Sequence, residues 1–162
     1  ELKPRVNYSK TVKISSQYSH INVLQNQILP NLNILKKNIY EICEFSIMAL
    51  LSNTIDHANA TRLYYKLFVT DNDVHIILSD NGRGIFDHIK NALELRDLQI
   101  AAIEIAKGHV TSDPEHHAGE ELRAVVHLFD KITIDASGIC LSYLNSSNEW
   151  ISSKRNTDSF GN

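Results

Sequence analysis

Apolar residues recur along this chain with two different periods, and the switches between them mark out its elements. Residues 10–14, Lys-Thr-Val-Lys-Ile, alternate polar and apolar and predict a short edge strand. Residues 20–29 place Ile21, Val23, Leu24, Ile28 and Leu29 as a short helix, which Pro30 ends. From Leu32 to His57 the apolar positions Leu32, Leu35, Ile39, Ile42, Cys43, Ile47, Leu50 and Leu51 fall at helical spacing. They predict one long amphipathic helix with its stripe against a sheet. The pattern then changes. Residues 63–69 and 74–78 are aromatic and β-branched, and the turn formers Thr70-Asp71-Asn72-Asp73 between them complete a β-hairpin. Helical spacing returns over 85–94 and 97–107. A polar loop is expected from Gly108 to Glu120 and a short helix over 120–128. Three short strands follow at 131–135, 139–144 and 149–152, separated by Asn, Ser and Gly turns.

Strands grouped in runs beside grouped helices indicate an α+β chain, read as a two-layer sandwich. With 162 residues the length suits one domain, expected over 1–152, with 1–30 as a variable N-terminal segment and 153–162 as a frayed tail. The chain is 43% apolar and 22% charged, which excludes global disorder. Its formal net charge of −3 argues against general nucleic-acid binding, though not against a local basic patch. No apolar run is long enough to span a membrane, and no apolar segment follows Glu1–Arg5 as a secretory leader would require. Cys43 and Cys140 lie in separate apolar runs, which fits a reducing, cytoplasmic setting better than a disulfide framework. Tyr64, Tyr65 and Phe68 read as sheet residues rather than as a base-stacking platform.

Three stretches carry candidate chemistry. Asn53 and Asp56 stand three residues apart at the end of the long helix and so share a face, where an Asn oxygen suits Mg²⁺. Asp80-Asn81-Gly82-Arg83-Gly84-Ile85 follows a strand. An Asp there can accept a hydrogen bond from an exocyclic amine, and the two glycines allow positive φ and close backbone approach to a ligand. His117-Ala118-Gly119-Glu120-Glu121 opens a short helix, whose free N–H groups favour phosphate. Each stretch alone also has a plainer reading, as a helix end, a turn and a solvated loop.

In order and spacing these stretches resemble the Bergerat-fold (GHKL) ATP-binding domain of DNA gyrase, heat-shock chaperones, histidine kinases and mismatch-repair ATPases. Ser52-Asn53-Thr54-Ile55-Asp56-His57 is similar to the N box, and Asp80-Asn81-Gly82-Arg83-Gly84-Ile85 to the first glycine box, Asp-x-Gly-x-Gly-Ile. The similarity covers roughly 40–150. It is closer to bacterial histidine-kinase-like signalling ATPases, whose Thr-x-Asp-Pro-Glu-x-His segment resembles Thr111–His117. The resemblance implies helices on one face of a mixed, mostly antiparallel sheet, with ATP or ADP and Mg²⁺ under a lid at 86–118. It further implies that Asp80 holds the adenine amine, that Gly82, Gly84 and Ile85 shape the pocket, and that Asn53 coordinates Mg²⁺. Asp56, His57, His117 and Gly119 would line the phosphate side.

Two positions depart from the family's pattern. The general-base Glu of hydrolytic members, one helical turn before the N-box Asn, is Ala49 here, and a methyl group takes no proton. The second glycine of the second glycine box is Glu121, which brings negative charge towards the phosphates, with Lys107 and Arg123 as candidate compensation. The expectation is therefore an ATP/Mg-binding regulatory domain with weak or absent hydrolysis, a protein partner that responds to nucleotide state, and a possible homodimer. The alternatives are an active ATPase or anti-sigma-like protein serine kinase, and an interaction module without nucleotide. A structural metal at His116-His117 is disfavoured by spacing.

Overall fold

The computed structural model describes residues 3–14, 20–54, 59–108 and 118–154, with the backbone alone at 20 and 118–121. Within them the protein is α+β. Six strands pair, always antiparallel, as two three-stranded sheets. The chain divides into two compact units, 1–83 and 84–162.

The first unit begins with β1 (Val6–Lys13), followed by α1 (His20–Val23), a π-helical turn (Leu24–Ile28) and a 3₁₀ turn (Leu29–Leu32). Next come α2 (Lys37–Ser52) and the hairpin β2 (Arg62–Val69) and β3 (Val74–Asp80). The sheet order is β1-β2-β3, so β1 is an edge strand, as its alternation predicts, but longer by four residues at its start. Helix α2 departs from the sequence reading because it starts at Lys37 rather than Leu32. The 3₁₀ turn carries Pro30 in its first positions, Leu35 N–H closes a turn on Leu32 C=O at 3.0 Å, and Lys36 is extended at ψ 147°. Those residues spend their backbone groups on tight turns, so the apolar spacing runs on where the helix does not.

Cys43, Ile47 and Leu51, four residues apart, form the buried stripe of α2. They join Val23, Leu24, Ile28 and Leu32 against Val12 of β1 and Leu63, Tyr65, Leu67 and Val69 of β2. The period of two on β2 is thus read out as one face buried and the other facing outward. At the β2–β3 turn the Thr70 hydroxyl accepts from the N–H groups of Asn72 and Asp73 at 3.2 and 3.0 Å, which fixes the Val69–Val74 register.

The second unit holds α3 (Ile85–Ala92), α4 (Leu98–Lys107), α5 (Ala118–Val126), β4 (Lys131–Ala136), β5 (Ile139–Leu144) and β6 (Glu149–Lys154). Asp97 caps α4 by accepting from Ile100 N–H at 2.9 Å, and Gly108 ends it in the left-handed conformation, φ 71°. The β4–β5 hairpin turns on Ser137-Gly138, both with positive φ as a type I′ turn requires. Phe86, Ile89, Ala101, Ala102 and Ile105 pack with Ile139 and Leu141, and Trp150 of the last strand lies half-buried against this cluster. Strand β6 runs to Lys154, two residues into the segment read as tail, and 155–162 lie outside the described residues. Helix α5 begins at Ala118, inside the expected loop, and 109–117 are likewise outside the described residues. Among the described residues no helix is long and apolar enough to cross a membrane. Cys43 is buried and Cys140 half-buried, and both are free thiols.

Candidate functional site

Asp80 is the last residue of β3, opposite Leu63 in the ladder, and its side chain is exposed. The chain turns there because the carboxylate folds back on its own backbone: Oδ1 accepts from Gly82 N–H at 2.8 Å, an Asx turn. The other oxygen, Oδ2, lies 3.4 Å from the hydroxyl of Thr54, which also donates to Leu50 C=O at 3.1 Å. Thr54 is buried and directly follows Asn53, the residue that caps α2. One hydroxyl thus brings the end of α2 to the end of β3, across a sequence separation of 26 residues.

Asn81 has a different task. Its Oδ1 accepts from Arg62 N–H at 2.8 Å and Thr61 N–H at 3.0 Å, and its Nδ2 donates to the Thr61 hydroxyl at 3.0 Å. The residue between Asp80 and Gly82 therefore fastens the turn to the start of β2. Neither Thr54 nor Asn81 carries a role in the sequence reading. The signal for Asn81 is its place one residue after a strand, where Asn pairs with local backbone.

The remaining candidates divide as follows. Asn53 is half-buried and its N–H reaches Ala49 and Leu50 C=O. Among the described residues no hydrogen bond engages its amide side chain. Gly82 closes the Asp80 turn. Asn53, Thr54, Asp80 and Gly82 belong to the first unit, and Gly84, Ile85 and Gly119 to the second. Asp56, His57 and His117 lie outside the described residues.

The glycines of this segment need correction. Positive φ occurs at Gly108 and Gly138, not at Gly82 or Gly84. Gly84 has φ −62° and caps α3, and it is short of space rather than in need of left-handed backbone. A Cβ there would stand 2.6 Å from Ser137 Oγ and 3.1 Å from Ala136 Cβ, at the end of β4 and in its turn. The Ser137 hydroxyl is itself tied by a short hydrogen bond to Asp87 of α3. Close backbone approach is thus real at Gly84, but its partner is the β4–β5 turn. Ile85 opens α3 and packs on the second unit's core. Gly119 is the second residue of α5.

Ala49, at the general-base position of the resemblance, is only 5% exposed. Of the nearby acids of α2, Glu41 pairs with Lys37 at 3.8 Å, and Glu44 stands near Tyr40, whose phenol pKa is raised first by burial and then by that carboxylate. Lys107 pairs with Glu104 at 2.7 Å, and the Arg123 side chain lies along Gly108. Among the described residues no cluster of three His, Cys, Asp or Glu is placed to hold a metal ion.

The chemistry of the described site is that of an acceptor. A carboxylate offers about four lone-pair positions, of which Gly82 N–H takes one, while the single Thr54 hydroxyl proton is shared between Asp80 and the nearer Leu50 C=O. Capacity remains for a donor such as an amino group. No family model matches the chain, and comparison with curated proteins and with solved structures returns no match.

Proposed function

We propose that this chain is an ATP- and Mg²⁺-binding regulatory domain of the histidine-kinase-like (Bergerat) class, a two-layer sandwich in which nucleotide occupancy, rather than turnover, is the output. The observation that carries the reading is the Thr54–Asp80 link. It joins the end of the N-box helix to the first glycine box, the two stretches in which the sequence most resembles that class. In this reading Asp80 accepts from the adenine amine, and Asn53 contributes an oxygen to Mg²⁺ that bridges the phosphates. Hydrolysis is weak or absent because Ala49, buried at 5% exposure, supplies no base. A protein partner reads the nucleotide state.

Calorimetric titration with Mg-ATP tests this. Binding is expected, and Asp80→Asn is expected to weaken it by a charge-assisted hydrogen bond of about 1.5–3 kcal/mol. Phosphate release should stay at the buffer background. Absence of binding at millimolar Mg-ATP in the intact chain would favour the reading as an interaction module without nucleotide. Steady turnover would favour the ATPase or anti-sigma-like kinase.

A further inference from the structure

The face of the β1-β2-β3 sheet turned away from its core carries a pattern that the nucleotide reading does not use. The register fixes its rows. Lys13 lies beside Arg62; Tyr64 follows, then Lys66, then Phe68 beside His75. Down the central strand β2 the outward positions alternate cation and ring, Arg62, Tyr64, Lys66, Phe68, at a repeat of about 6.7 Å. Tyr64 is 37% exposed, Arg62, Lys13 and His75 are exposed, and Lys66 and Phe68 are half-buried. The Phe68 and His75 rings stand 5.9 Å apart. The other outward positions of the three strands are uncharged, so the face holds three cations and no carboxylate on a chain of net charge −3. Among the described residues no ion pair engages Lys13, Arg62 or Lys66. Asp71 and Asp73 sit in the hairpin turn, where Asp71 faces Arg5 at 3.8 Å and Asp73 lies 3.4 Å from the Thr70 hydroxyl.

We propose that this outward sheet face binds single-stranded nucleic acid, with Arg62, Lys66 and Lys13 on phosphates and Tyr64 and Phe68 under bases. Charge complementarity selects a polyanion. The rings select among polyanions, because a purely acidic peptide has no planar groups to place on them, whereas every base has a π-face that stacks without regard to sequence. A duplex hides its bases and cannot use the rings. The proposal refines what composition implies and departs from the sequence reading of Tyr64 and Phe68 as sheet residues alone: a net charge averages over the surface, and the alternation becomes visible only when the register sorts β2 into two faces. Asp80 belongs to the row of the core-facing side, so the two proposals stand on separate groups.

The test is fluorescence anisotropy of a labelled oligouridylate of about ten nucleotides with the intact chain, without added ATP. Binding is expected at low salt, with a slope of log affinity on log salt of about −2, the value for three phosphates neutralised on a single strand. Tyr64→Thr keeps strand propensity and removes the ring, so it should weaken binding at least about fivefold with unchanged far-UV circular dichroism. Lys66→Glu, a charge reversal on the outward face, should weaken it further and flatten the salt slope. No binding at low salt, undiminished binding by Tyr64→Thr, or equal affinity for a duplex or for polyglutamate of the same length would each overturn the proposal.

Discussion

Gly84 is glycine for a reason of space. The atom a Cβ would meet first, Ser137 Oγ, cannot swing away freely because Asp87 holds it, and the next, Ala136 Cβ, is anchored in β4. Gly84→Ala is therefore expected to cost about 1–3 kcal/mol by overpacking, measured as a lower denaturant midpoint with or without nucleotide. A ligand-approach glycine would instead lose affinity and keep its stability. Ala49 gives the complementary prediction. Restoring the family's acid with Ala49→Glu places a carboxylate where the native side chain is 5% exposed, so it should destabilise the chain by more than ~2 kcal/mol and yield no phosphate release. A stable, hydrolytic variant would contradict the buried setting of that position. At this scale the turn at Asp80 was legible from sequence, since Asp-Asn-Gly after a strand announces one. Thr54 and Asn81 were not, because their roles depend on partners 26 and about 20 residues away.

Among the elements, the hairpins follow their sequence closely. Residues 70–73 and Ser137-Gly138 are turn chemistry that backbone physics demands, and the strands around them begin and end within two residues of their pattern. Helix α2 was overextended at its start because periodicity reports which residues face a core, and the 3₁₀ turn and the extended Lys36 keep Leu32 and Leu35 facing it without a helix. The tie between these turns and the sheet is Tyr65, wholly buried, whose hydroxyl donates to Gln27 C=O at 3.2 Å. Burial raises its phenol well above the ordinary value of about 10, with the neighbouring Tyr8 adding to the shift. The folded chain thus keeps this proton at pH values where the unfolded chain has lost it. Stability is expected to hold up to about pH 10 and then to fall as pH rises towards the raised folded value, with a limiting slope of about 1.4 kcal/mol per pH unit. Denaturant midpoints taken from about pH 9 to 11 check this, and Tyr65→Phe should remove that part of the alkaline loss while costing about 1 kcal/mol at neutral pH.

For the whole molecule, the α+β class was legible because strand-like and helix-like periods are each local. The closure of six strands into two antiparallel ladders was not. It rests on pairings such as β1 with β2, which are separated by the whole helical segment and which no window of sequence encodes. The same register sorts the first sheet into a core face that ends at Asp80 and an outward face of alternating cations and rings, and both proposals depend on that sorting. The central claim is that Asp80 is an acceptor for the amino group of adenine. It is tested most directly by titrating the intact chain with Mg-ATP and Mg-GTP side by side. Guanine presents an oxygen where adenine presents that amine, so a carboxylate there repels it. The account predicts at least tenfold tighter binding of ATP, about 1.4 kcal/mol or more. Equal affinity for the two nucleotides would contradict it.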